Sequence, residues 1–195
     1  MRRAVLLIVP CLLCVGCSGK GDTQASKPTR VSVKHGLDKD AGKVARTPKK
    51  LSIAELLAMR APSGVGDLSS YPESRVAPFE TSTYEIEGTI KSVVHRKDGD
   101  YYLVVENEKG DQAVVEVPDP KLCKGSPLEA DIERTRKSLE DRYHPSDKPK
   151  EVNERASIRG VGFFGWKGKP GSGSTSSKPR LMPGTGITFD DKPSG

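Results

Sequence analysis

Between Tyr84 and Val117 the chain alternates apolar and polar residues in three runs joined by two short polar links. In the first run Tyr84, Ile86, Gly88, Ile90, Ser92 and Val94 fall on one side, with Glu85, Glu87, Thr89 and Lys91 opposite. The second sets Tyr101, Leu103 and Val105 against Tyr102, Val104 and Glu106, and the third sets Ala113, Val115 and Val117 against Val114 and Glu116. A period of two with one apolar side is the pattern of strands with one buried face, so the stretch predicts a three-stranded meander. Arg96–Asp100 and Asn107–Asp111 are its turns, and Asp98-Gly99 supplies a residue that tolerates positive φ. Gly88, in mid-strand, predicts a bend or bulge.

The period then changes. Pro118-Asp119-Pro120 ends the meander, because proline cannot donate to a ladder. Ser126-Pro127-Leu128-Glu129 carries a capping serine, a proline at the first helical position and an early glutamate, which predicts a helix start. Leu128, Ile132, Thr135, Leu139 and Tyr143 share one face of that helix, which stops before Pro145. After a polar loop over 146–154, Ala156 to Phe164 reads as a fourth strand, with Gly160 and Gly162 predicting a bulge or a close backbone approach. A Gly/Ser/Lys stretch follows, then a weak fifth strand over 181–189 and a disordered tail.

Upstream, Leu51 to Arg60 predicts a short helix with Ser52 and Glu55 as a capping box and Ile53, Leu56 and Leu57 as its apolar face. Residues 62–82 read as extended connection, with Phe79 tucked into the core. Residues 18–50 contain no aromatic residue and few aliphatic ones, so they predict a disordered tether. The domain boundaries that follow are 1–16 for a leader, 17–50 for the tether, 51–82 for helix and connector, 83–165 for the core and 166–195 for loop, last strand and tail.

Three meander strands, a helix and two further strands is the element order of the OB-fold, a small five-stranded barrel. The Asp98-Gly-Asp-Tyr-Tyr-Leu-Val turn and strand, the Val117-Pro-Asp-Pro exit and the Gly160-Val-Gly-Phe-Phe segment resemble a group of small exported bacterial OB-like domains without assigned activity. The resemblance covers about residues 83–165 and implies a mainly β, five-stranded OB-like barrel of order β-β-β-α-β-β. An open four-stranded sheet backed by one helix is the competing arrangement.

Composition narrows the picture. Hydrophobic residues make up 34% of 195, with Gly 20, Pro 15 and a mean hydropathy of -0.54, which is lean for one globule of that length. The formal charge is +6, but residues 18–50 hold nine Lys or Arg and three Asp, whereas Leu51 to Gly195 holds 21 basic and 23 acidic residues. A core with that balance lacks the basic footprint of nucleic-acid binders.

The first residues carry their own signal. Arg2 and Arg3 precede an apolar run from Ala4 to Val15, too short to span a bilayer as a helix, and Val15-Gly16-Cys17-Ser18 follows. This order resembles the lipobox of bacterial lipoproteins. The resemblance implies cleavage before Cys17, lipid on Cys17, and, with Ser18 next, anchoring in an outer membrane facing the periplasm. An ordinary secretory signal is the alternative.

Candidate chemistry is sparse. His35, His95 and His144 share no ligand spacing, and Cys123 has no base in a motif around it. There is no nucleophile elbow, phosphate loop or dinucleotide fingerprint, so no cofactor and no catalysis are expected. OB barrels bind ligands over strands two and three, which here present Tyr102, Val104, Val114 and Glu116, rimmed by Arg96, Lys97 and Trp166. Tyr102, Arg96, Lys97 and Trp166 are therefore the candidate ligand-binding residues, for a protein or glycan partner in the envelope. Single-stranded nucleic acid is the second reading and an enzyme of unknown type the third.

Overall fold

The computed structural model describes residues 30–61, 73–165 and 178–190. Cys17, the leader, Trp166 and the tail beyond Asp190 lie outside the described residues. The fold is mainly β, with one six-stranded mixed sheet and three α-helices. Helix α1 (Val31–His35), strand β1 (Ala45–Lys50) and helix α2 (Ile53–Ala58) precede β2 (Ser82–His95), β3 (Tyr101–Glu106) and β4 (Gln112–Val117). Helix α3 (Glu129–Tyr143) then leads to β5 (Lys150–Phe164) and β6 (Pro179–Phe189). Neighbouring strands follow the order β1-β2-β3-β4-β6-β5, and β2 also pairs with β5.

The meander forms where its alternation places it. Tyr101, Leu103, Val105, Ala113, Val115 and Val117 are all buried, as are Tyr84, Ile86 and Ile90. Beyond Ile90 the expected phase fails: Val93 is buried, while Ser92 and Val94 are only half-buried. The register of β2 against both β3 and β5 shifts between Ile90 and Ser92, so the bulge lies at Lys91 rather than at Gly88. An extra residue in one strand reverses which side its successors face. Gly88 serves close packing instead, since a Cβ there would lie 2.8 Å from the Glu106 carbonyl oxygen.

Helix α3 buries Leu128, Ile132, Thr135, Leu139 and Tyr143, the face its spacing predicts. Its first helical residue is Glu129, later than the capping pattern implies, and Ser126 Oγ accepts from the Leu128 amide at 3.1 Å in the turn before it. Helix α2 is capped as expected, with Ser52 Oγ accepting from Glu55 N and Glu55 Oε2 accepting from Ser52 N. Six residues are too few to be stable alone, so its persistence rests on burying Ile53 and Leu56.

Three expectations are corrected. The sheet has six strands, not five, because β1 runs parallel to β2 through Ala45↔Ser82 and Lys50↔Glu85. Strand β5 begins at Lys150, inside the expected polar loop, because the long β2 offers it a partner as far as Val93. Residues 30–50, expected to be tether, are instead part of the fold, as α1 and β1.

Buried ion pairs hold that N-terminal segment down. Arg30 Nη1 and Nη2 donate to Glu80 Oε1 and Oε2 at 2.7 and 2.6 Å, with both side chains almost wholly inaccessible. Glu80 also accepts from the backbone amides of Val76 (2.7 Å) and Phe164 (2.8 Å). Arg75 pairs with Asp38 at 2.7 Å and donates to the carbonyls of Glu80 and Val33. Buried charges hold only when paired and fully hydrogen-bonded, and these meet that condition. Beside them Phe79, in the core as its sequence context predicts, stacks on Tyr84 and Phe164 with ring centroids 5.3 and 4.7 Å apart.

Candidate binding face

The turn between β2 and β3 is closed by Gly99 N donating to Arg96 O at 3.0 Å and Arg96 N donating to Asp100 O at 2.8 Å, with Gly99 at φ 93°. This geometry lays the Arg96 guanidinium over the Tyr102 ring, 4.7 Å from its centroid. Tyr102 is half-buried on the outer side of β3, and Lys97 is exposed on the same turn. Of the four expected ligand residues, the fold thus brings Arg96 and Tyr102 into contact and sets Lys97 beside them. A guanidinium–ring contact at such a surface is worth roughly 0.5–1 kcal/mol, which favours a preorganised pair over two independent side chains.

Glu116 is a correction. The alternation turns it outward on β4, yet it is buried and ion-paired with Arg180 of β6. Burial raises its pKa, while the Arg180 charge acts in the opposite direction. Strand β6, running beside β4 at Val115↔Leu181, carries the arginine that covers it. The ligand face is therefore narrower than expected and excludes this carboxylate.

The segment read as tether contributes to the same region. Lys34 Nζ of α1 lies 2.9 Å from Asp98 Oδ2 and 2.6 Å from Asp100 Oδ2, so it clamps the β2–β3 turn. Asp100 is fully buried, and the ammonium, although close, is poorly aligned for a hydrogen bond, which leaves both carboxylate oxygens without a well-directed donor. Burial raises the Asp100 pKa against the pull of Lys34. For Lys34, burial alone would lower the pKa, but the close carboxylates of Asp100 and Asp98 outweigh it and raise it. Asp98 shifts down because Lys34 outweighs its own partial burial.

A carboxyl group whose pKa is raised on folding favours the fold when protonated and costs stability once pH climbs past its unfolded value near 3.8. Asp100→Asn removes that cost. Its stability relative to wild type is expected to improve as pH rises from 3.5 to 7, as read by urea midpoints at each pH. A variant whose deficit grows with pH would show that the Lys34 pair outweighs the desolvation of Asp100.

The remaining ionisable candidates are scattered. His35 is buried, and burial, with Lys34 adding, holds its imidazole below the ordinary value. His95 packs edge-on against Tyr101, and His144 is exposed at the end of α3. Among the described residues no three His, Cys, Asp or Glu side chains are grouped as metal ligands. Cys123 is a buried free thiol, pushed up to about 12 by burial and by the charges of Asp100, Asp119 and Glu129. It stays protonated and therefore a poor nucleophile. Among the described residues no helix is long and apolar enough to cross a membrane.

No family model and no curated protein matches the chain. Similar solved structures include an OBody bound to hen egg-white lysozyme, at 12% identity and a TM-score of 0.39 over 76% of this chain and 100% of that one. Another is asparaginyl-tRNA synthetase from Entamoeba histolytica, at 9% identity and a TM-score of 0.37 over 77% of this chain. The chain spans 25% of that synthetase. At these scores neither likeness carries a fold or an activity to this chain.

Proposed function

We propose that this is a lipid-anchored protein of the bacterial cell envelope whose non-catalytic, OB-like domain binds a protein or glycan partner. The Arg96–Tyr102 pair is the observation that carries the binding reading: a preformed cation–ring contact at the edge of β3, with Lys97 exposed next to it. The pairing of β2 with both β3 and β5 supports taking β2 to β6 as a five-stranded barrel with α3 between its third and fourth strands. The lipobox-like Val15-Gly16-Cys17-Ser18 supports the anchor.

The described fold includes Arg30, and residues 18–29 are all that lie between it and Cys17 in the sequence. Twelve residues reach about 40 Å when fully extended, so an anchored domain stays close to its bilayer. Partners would be recruited at the membrane surface.

Crosslinking in intact cells tests both parts of this reading. The wild-type chain is expected to give a discrete crosslinked species in the membrane fraction, which Tyr102→Ala with Arg96→Gln abolishes. Cys17→Ala is expected to leave the membrane fraction. A species that survives the double substitution would sink the proposed face, and a Cys17→Ala protein that still sediments with membranes would sink the anchor.

Single-stranded nucleic acid is the second reading, favoured by an aromatic beside basic groups and by the folding of residues 30–50, which hold seven Lys or Arg against two Asp. Salt-dependent retention on single-stranded DNA, lost in the Arg96/Tyr102 variant, would move it to first place.

A further inference from the structure

On another side of the molecule, a groove of about 480 Å³ opens between α3 and strands β5 and β6, with β1 closing one side. Three guanidinium groups from three different elements line it: Arg46 of β1, Arg134 of α3 and Arg159 of β5. Among the described residues Asp131 is the one carboxylate in the lining, and it is shared. Arg46 Nη1 donates to its Oδ2 at 2.8 Å, and Arg134 donates to its other oxygen. Two positive charges in the groove are thus left uncompensated.

Arg159 is the better placed of these to meet a ligand. It is exposed and makes no hydrogen bond or ion pair among the described residues. Its cross-strand neighbour Glu85 faces Lys50 at 3.9 Å instead. Gly186, opposite Arg159 on β6, lets the guanidinium lie flat over the strand, since a Cβ there would fall 2.6 Å from Arg159 Nε. A flat guanidinium with open N–H groups is built for bidentate contact with a phosphate or carboxylate.

The rest of the lining suits a polyhydroxylated ligand. Thr135 Oγ1 and Ser138 Oγ donate to the Asp131 and Arg134 carbonyls of their own helix, which leaves their lone pairs to accept hydrogen bonds from the groove. The Thr185 hydroxyl makes no hydrogen bond among the described residues. Among the described residues no aromatic ring lines the groove, which argues against a stacked base, and its volume falls within the range of small-molecule sites, about 300–1,000 Å³.

We propose that this groove binds an anionic sugar, a sugar ring bearing a phosphate or a carboxylate, with Arg159 taking the anionic group and the α3 hydroxyls taking the ring. The site is separate from the Arg96–Tyr102 face, and it does not depend on the lipid anchor.

Calorimetric titration of the full chain in mild detergent with glucose 6-phosphate, glucuronic acid and glucose tests it. Saturable binding of at least one acidic sugar, with none of glucose, is expected; which acid binds assigns phosphate or carboxylate. Arg159→Gln is expected to weaken that binding at least about tenfold, the scale of one lost charge-assisted bidentate contact. Arg159→Lys should fall between, and Arg96→Gln should bind as wild type. Gly186→Val should mimic Arg159→Gln by displacing the guanidinium. Arg159→Gln lies on the surface, so a melting temperature matching wild type separates lost binding from lost fold. Glucose binding as well as its acidic forms, no binding of either acid, or Arg159→Gln binding as wild type would each overturn the proposal.

Discussion

Glu80→Gln is expected to destabilise the protein by roughly 3–5 kcal/mol, the usual cost of leaving a buried charge without its partner. Glu80 has almost no access to solvent and accepts four hydrogen bonds, two from Arg30 and one each from the amides of Val76 and Phe164. A glutamine keeps the shape but turns one acceptor into a donor facing the donors of Arg30, and it removes the charge that balances the guanidinium. The loss should appear as a lower urea midpoint with an unchanged slope. The double variant Arg30→Met/Glu80→Gln discriminates between explanations. With the cation gone no buried charge is orphaned, so it should recover a large part of the loss, a coupling of more than about 1 kcal/mol between the two sites. Simple additivity of the two substitutions would show that the pair contributes through packing alone.

A chain starting at Leu51 is expected to lose cooperative folding, whereas one starting at Lys27 melts as a single transition. The shorter chain lacks Arg30 and Asp38, so Glu80 and Arg75 lose their counter-charges together, and it lacks Val33, Val44 and strand β1. Water entering the vacated space relieves part of that cost. Even so, two broken ion pairs and roughly 1.5–3 kcal/mol per lost core side chain take a large share of a stability of about 5–15 kcal/mol. Thermal unfolding followed by circular dichroism reads the difference. Two sharp transitions within a few degrees of each other would show that residues 27–50 are ornamental to the fold.

The meander and α3 were legible because each element carries its own period, and burial of one face enforces it. Leu103, Val105, Val115, Ile132 and Leu139 face inward for that reason alone. The N-terminal segment was not legible. Its anchors are Arg30, Lys34 and Asp38, residue types that read as solvated, and its aliphatic content is little more than Val31, Val33, Leu37 and Val44. The candidate face shows the same division. The pairing of Arg96 with Tyr102 follows from a turn signal followed by a strand, whereas the loss of Glu116 to Arg180 and the arrival of Lys34 at Asp100 join residues 64 and 66 positions apart. The groove with Arg46, Arg134 and Arg159 carries no motif, because it is assembled from five separate elements.

By itself, then, the sequence determined the strands of the meander, the capped helix α2, helix α3 and the inward faces of each, since local periodicity and capping act within a few residues. Only the tertiary structure decided that a sixth strand lies beside β2, that Lys91 shifts the register and that residues 30–50 belong to the fold. The physical reason is one of range. Ion pairs and strand partners stabilise by matching charges and backbone groups across long separations, and a basic, polar segment can be buried once its partners are already waiting in the fold.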